Sequence, residues 1–298
     1  MPHCRRRALI AYLCLFCVAA GAPASAATLE YVGTHVWQSS ESSFGGFSGI
    51  EISKDGTGFH ALSDRAWLYW GSLQRDPQGL IRDVSVAGRA RLKDSKGNPL
   101  KPGYLGDSEG LALGDDGTIW VTFEGLDRLA SFENPDAAAT LHPSPPDLPG
   151  MRVNSGLEAL AIDPTGALFT LPEKSGHEDR PFPLLKYTDG AWSRFSQIRR
   201  DPRWLPVGAD FGPDGFLYLL ERDFHGLLGF SSRVRRMRLT DQGPVDEEIL
   251  LETTPLQYDN LEGLAVWHDG QGIRLTMISD DNFLIVQRTE LVEYRLRD

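Results

Sequence analysis

Apolar and polar positions along the chain repeat one pattern five times. Its fullest copy is Asp259–Asn282, DNLEGLAVWHDGQGIRLTMISDDN. An apolar run, Leu261–Trp267, is followed by a turn at Asp269-Gly270 and a second run, Arg274–Ile278. Two short apolar runs joined by Asp-Gly predict a β-hairpin. The other copies are Phe47–Arg65, Asp107–Gly125, Ser155–Lys174 and Pro206–Asp223. Counting back seven residues from each turn residue (Asp55, Asp116, Thr165, Asp214, Asp269) reaches Ser48, Glu109, Glu158, Val207 and Glu262, spaced 61, 49, 49 and 55 residues apart.

A period of about fifty residues, with short strands and Gly-rich turns, predicts an all-β fold, a β-propeller of five four-stranded blades. Two turn-rich stretches, 93–106 and 133–153, leave room for a sixth blade and otherwise read as exposed loops. Thr28–Trp37 alternates as a strand but precedes the first hairpin. It is expected to pair with the C-terminal strand Leu291–Leu296 and close the last blade, leaving no open sheet edge.

Residues 1–26 read as a cleaved signal peptide. Arg5-Arg6-Arg7 precedes the apolar run Ala8–Ala20, and Ala24-Ser25-Ala26 is a small-residue cleavage site. The run is too short for a spanning helix, so no transmembrane segment is expected. Residues 27–298 then form a single domain, periplasmic or secreted and expected to be monomeric. All three cysteines, Cys4, Cys14 and Cys17, fall in the leader, so the mature chain has no disulfide and no thiolate ligand. Losing the leader removes three arginines and no acids, which moves the formal charge from −11 to −14. Such a surface argues against nucleic acid or an anionic membrane as partner and is compatible with binding a cation.

In a propeller the innermost strands line a central channel and all point the same way. Ser48, Glu109, Glu158, Val207 and Glu262 should therefore ring one mouth. The ends of the second strands, Asp64, Glu124, Glu173, Glu221, Asp280 and Asp281, should reach the same face. Carboxylates so close raise one another's pKa and call for a cation. Hard oxygen ligands suit Ca²⁺, with Mg²⁺ second, and Glu109, Glu158 and Glu262 are the expected ligands. Arg65, Lys174, Arg222 and Arg288 are placed to serve as counter-charges or anion clamps. Asp64, Glu221, Asn260 and Asn282 are candidates for binding a substrate, and Asp280 or Asp281 for a general base. His177 and His225 are weaker candidates. No G-x-S-x-G elbow, P-loop or dinucleotide fingerprint is present.

The quoted stretches, together with FGGFSGIE (Phe44–Glu51), DSEGLAL (Asp107–Leu113), GLEALA (Gly156–Ala161) and SDDNFLIVQRTELVEYRL (Ser279–Leu296), resemble the bacterial phytase-like family, "esterase-like activity of phytase". The resemblance covers nearly the whole mature chain. It implies an exported propeller that hydrolyses an ester or phosphoester.

Two functions follow from this reading. One is a metal-assisted hydrolase of a small anionic ester or phosphoester, with a calcium-dependent lactonase as a variant. In it the ring acids hold Ca²⁺, Arg65, Arg222 or Arg288 bind the anion, and Asp280 or Asp281 acts as base. The other is a non-catalytic binding or scaffold propeller with a structural calcium. Arginines beside the acids at 64–65 and 221–222 favour the first.

Overall fold

The computed structural model describes residues 27–147 and 156–297; the leader at 1–26 lies outside them. Twenty strands form five antiparallel four-stranded sheets. Blade one is β2 (Phe47–Ile52), β3 (Gly58–Ser63), β4 (Trp67–Arg75) and β5 (Ile81–Arg91). Blade two is β6 (Ser108–Leu113), β7 (Ile119–Phe123), β8 (Arg128–Phe132) and β9 (Thr140–Leu141). Blade three is β10 (Leu157–Ile162), β11 (Leu168–Pro172), β12 (Phe182–Thr188) and β13 (Ala191–Ile198). Blade four is β14 (Leu205–Phe211), β15 (Leu217–Phe224), β16 (Phe230–Thr240) and β17 (Gly243–Glu252). Blade five is β18 (Asn260–His268), β19 (Ile273–Asp280), β20 (Thr289–Arg297) and, from the other end of the chain, β1 (Thr28–Trp37). The expected closure is therefore present, with Thr28 opposite Arg297 and Trp37 opposite Thr289.

The described residues hold five blades and no sixth. The 93–106 stretch folds back through a bridge between Lys93 and Pro99. The 133–147 stretch, expected to be an exposed loop, supplies β9, only two residues long. Its neighbours are Pro- and Ala-rich, so no alternating pattern marks it.

Each blade is apolar on both faces because it is covered on both sides by another blade. The core is accordingly divided into five clusters, one at each interface between blades. Val207, Tyr218 and Val234 of blade four pack with Leu264, Met277 and Tyr294 of blade five. Phe47, Ile50 and Tyr69 of blade one meet Ala265, Ile278 and Leu291 across the closing seam. That seam also carries charge: Arg75 on β4 makes two hydrogen bonds to Glu293 on β20, at 2.7 and 2.8 Å.

The register of the first two strands slips at the same point in every blade. The shifts fall at Phe47/Gly49, Ser108/Leu111, Leu157/Ala159, Pro206/Gly208 and Leu261/Gly263. The extra residue in each β-bulge is the ring residue, Ser48, Glu109, Glu158, Val207 or Glu262. A bulge re-aims a side chain out of the ladder, here toward the channel mouth. Four of the five ring residues are followed by glycine, because the innermost strands meet too closely for a side chain. A Cβ on Gly49 would lie 2.8 Å from Leu111 Cβ, and one on Gly110 2.5 Å from Leu160 Cβ. The channel is pinched there to a void of about 10 Å³, barely the volume of one water.

Candidate functional site

The antiparallel ladders bring the starts of the innermost strands and the ends of the second strands to one end of the channel. Register aligns them blade by blade. Ser63, Phe123, Pro172, Glu221 and Ser279 pair with the residue just before each ring position. The next residues are Asp64, Glu124, Glu173, Arg222 and Asp280. The mouth thus has an inner ring of Ser48, Glu109, Glu158, Val207 and Glu262, and an outer ring of four acids and one arginine. Blade four is the one that contributes no acid to either ring.

Three carboxylates stand closest together. Asp107, Glu109 and Glu124 each offer a ligand oxygen, all within 4.8 Å of one another. The Glu124 N–H donates to the Asp107 carbonyl at 2.9 Å, which fixes the two ends of the β6–β7 hairpin. Glu109 sits on the bulge between them. Burial pushes its pKa well above the ordinary range, and Glu158, Glu262, Asp107 and Glu124 add to the rise. Burial raises Asp107, and burial with Asp107 and Glu173 raises Glu124. Glu158 is buried and raised well above its usual value by burial and by Glu173, against the pull of Arg222.

Arg222 holds the other side. Its Nη1 donates to Glu262 Oε1 and, at 3.1 Å, to Asn260 Oδ1, while Nη2 donates to Glu173 Oε1 at 3.1 Å. Asn260 in turn donates to Glu262 at 2.8 Å. Burial works to raise Glu173, but Arg222 and Lys174, the latter 2.5 Å away, bring it below its ordinary value. Glu262 stays raised by burial even with Arg222 and Asn260 attached. Next to it, Asp280 is buried and pushed up to about 8 by burial and the Glu262 charge. Asp64 is raised to about 6 by burial, with Glu262 and Asp107 adding to the rise against Arg65.

The structure sorts the sequence candidates. Glu109, Glu158, Glu262, Asp64, Asp280, Asn260 and Arg222 converge on the mouth. Glu221 does not. Side chains alternate along β15, so Glu221 points away from the mouth that Arg222 faces. It is fully buried between Arg233 and Arg235, with contacts of 2.7 and 2.5 Å. Asp281 is a loop anchor: it accepts from the N–H groups of Gly46 at 3.0 Å and Phe283 at 3.1 Å, and from Thr289 Oγ1 at 3.2 Å. Three donors commit it to holding the loop. Arg288 pairs with Glu290 at 2.9 Å and is not a clamp at the mouth. Asn282 is exposed, and it is its N–H that donates to Asp280 Oδ1 at 2.6 Å. Arg65 lies at the rim, its guanidinium 3.1 Å from the centre of the Phe283 ring. Asp107 had no assigned role. Its signal is its place two residues before Glu109, which sets both on one face of a strand.

The sequence profile of the phytase-like family, described as "esterase-like activity of phytase", matches residues 42–283. The chain belongs to the phytase-like family. This match spans every mouth residue named above. No curated protein matches the sequence. Among solved structures, the PQQ-bound aldose sugar dehydrogenase from Streptomyces coelicolor is similar at 13% identity, over 89% of this chain and 98% of that one, with a TM-score of 0.47. A gluconolactonase from Xanthomonas campestris is similar at 14% identity, over 84% and 72%, with a TM-score of 0.46.

The other end of the channel differs. A cavity of about 960 Å³ opens there, with Ile52, Leu113, Ile162, Phe211 and Val266 among its walls and Glu51 and Asp210 beside them. Burial and the neighbouring Asp210 raise Glu51 well above its ordinary value. Burial raises Asp210 to about 7, although it accepts from the N–H groups of Val266 at 2.6 Å and Phe211 at 2.7 Å.

Proposed function

We propose that this phytase-like propeller is an exported, monomeric, metal-assisted hydrolase of an ester or phosphoester, working at the acidic mouth. The observation that carries this reading is the Asp107–Glu109–Glu124 trio. Three half-buried carboxylates with oxygens within 4.8 Å of one another repel unless a cation joins them. All donors are hard oxygens and no thiolate or imidazole is among them, which fits Ca²⁺ first and Mg²⁺ second. Glu158, on the neighbouring blade, is a fourth donor within electrostatic reach. Bound there, such an ion would polarise an acyl or phosphoryl oxygen and lower the pKa of a water held beside it.

The chain's own groups support the rest. Asp280, with its proton held to about pH 8, can give or take a proton near neutrality. Its neighbour Asp64, raised to about 6, offers a second proton site. Arg222 fixes Glu262 and Asn260 and so orients the floor. Arg65 is exposed at the rim, has no carboxylate partner in hydrogen-bond contact among the described residues, and is available to an anionic group. Water adds to the acyl or phosphoryl centre, the ester C–O or P–O bond breaks, and the alcohol leaves with a proton.

A second reading, a binding propeller with a structural calcium, is favoured by the commitment of Arg222 and Arg288 to glutamates. Hydrolysis of a chromogenic phosphomonoester and a chromogenic acyl ester, each with Ca²⁺ and with chelator, separates the two. Turnover that needs the metal and is lost in Glu109→Gln supports the hydrolase. No turnover, with a melting temperature still lowered by chelator, supports the binding propeller.

A further inference from the structure

The exposed apolar side chains of this protein are not spread evenly. Among the described residues, sixteen large hydrophobic side chains are exposed. Ten of them lie in the connections at the acidic mouth, counting Phe224 at the strand end that leads into one. The other six are on the outermost strands β1, β5, β9 and β17. The turns at the opposite end carry none of the sixteen. An isolated exposed apolar residue is ordinary, but a set confined to one end marks a contact surface.

The exposure is extreme at the loop tips. Leu227 is 103% exposed, Ile285 105% and Val286 87%. These tips grow directly out of the site. Asp280 leads into the loop carrying Leu284, Ile285 and Val286. Arg222 leads into the hairpin tip carrying Phe224, Leu227 and Leu228. Glu124 is two residues from the exposed Leu126. The loop after Asp280 is also packed onto the mouth. Gly46, at a φ of +64° that favours glycine, lies so close to both Asp64 Oδ1 and the Phe283 ring that a Cβ would strike them. The polar mouth and its apolar crown are therefore one continuous surface.

We propose that the ligand of this mouth is an amphiphilic ester, a single molecule whose polar head enters the acidic mouth and whose long hydrocarbon chain lies on the crown. This rests on the mouth being the functional site as proposed above, and it adds the class of substrate. A small water-soluble ester has no use for apolar tips, whereas each methylene taken from water strengthens binding several-fold. The mature chain's strong negative charge disfavours an anionic bilayer as the occupant.

The test compares binding of dodecylphosphocholine, below its micelle-forming concentration, with that of phosphocholine, by calorimetry with Ca²⁺ present. The full-length mature protein is set against the triple variant Leu227→Ser, Ile285→Ser, Val286→Ser, whose sites are exposed enough to leave folding intact. The expected result is at least tenfold tighter binding of the chain-bearing ligand. The triple variant should bring that ratio to about two or less and leave phosphocholine affinity unchanged. Equal affinities in the parent protein, including no measurable binding of either, overturn the inference. So does a triple variant that keeps the ratio. Binding only to phosphatidylcholine vesicles, or a concentration-dependent dimer that the triple substitution abolishes, would assign the crown to a bilayer or a second copy and likewise overturn it. Loss of the hydrolase reading shows separately, as absence of metal-dependent turnover while the chain-length ratio stands.

Discussion

The two ends of the channel are built from the same five strands and hold buried carboxyls in both cases, yet they solve the problem of burial differently. At the end with the cavity of about 960 Å³, Asp210 takes main-chain N–H donors from Phe211 and Val266, and Glu51 is met by the main chain at Leu113. Two carboxyls are accommodated within the fold. At the other end, eight carboxylates face one another and one half-buried arginine, and Glu109 and Glu158 are raised chiefly by burial and by neighbouring carboxylates. Hydrogen bonds can stabilise a pair of acids, but a ring of them calls for a cation. Between the two ends the channel narrows to a void of about 10 Å³.

The largest expected difference between the ends is in turnover. Glu109→Gln should lower calcium-dependent hydrolysis about a hundredfold or more, since it removes a donor from the trio. Glu51→Gln and Asp210→Asn should leave it within about twofold. Equal losses at both ends in the chromogenic assay would erase the distinction. Next in size is stability. Arg222→Met strands Glu262 and Glu173 and should cost about 2 kcal/mol in urea denaturation, somewhat less than breaking a fully buried ion pair because Arg222 and Glu262 are partly exposed. Calcium affinity should change with it. Glu221→Gln, one residue away but facing the other side, should destabilise without altering calcium affinity.

The pH dependence sharpens the same contrast. A carboxyl that keeps its proton in the folded chain loses one on unfolding, so stability falls as pH rises from the unfolded value of 3.8 to the folded one. That window ends at about 7 for Asp210 and at about 8 for Asp280. Calcium should therefore raise the melting temperature more at pH 8 than at pH 5. Asp210→Asn should flatten the curve below pH 7 and leave the calcium increment unchanged; a calcium increment independent of pH counts against a cation at the mouth. Smallest of all, Arg65→Gln should raise KM several-fold with stability within about 0.5 kcal/mol, because the side chain is exposed and its stacking on Phe283 is worth little. An unchanged KM would remove Arg65 from the anion site.

Much of this was readable before any coordinates. The five hairpins, the closing strand and the inner ring all follow from one count around each Asp-Gly or Thr-Gly turn, because a strict hairpin period carries through the fold. What failed was parity. Glu221 is out of step with Glu124 and Glu173: a forward count of eight from the turn residue reaches Glu124, Glu173 and Arg222. Arg233 and Arg235, two apart on the facing strand, are the signal that Glu221 had buried partners of its own. The large cavity could not be read, since its walls are the fourth residues beyond each ring position and look like ordinary strand core. The apolar tips could not be read either, because whether Ile285 or Leu227 is covered depends on where its loop travels.

The shared fifth blade has a consequence for the order of events in folding. The hydrogen bond from Arg297 to Glu30 joins residues 267 apart in the chain. Until the last nine-residue strand exists, β1 has nothing to pair with and β18–β19 is a lone hairpin. The circle therefore completes only after the whole chain is available, and pairing of such distant segments is intrinsically slow. A chain cut before Thr289 should remain open to limited proteolysis within Thr28–Trp37, and resistance of that segment would show that four blades close without it. A ring that locks with its final strand stays open for as long as that strand is missing, so the last residues of the chain act as its clasp.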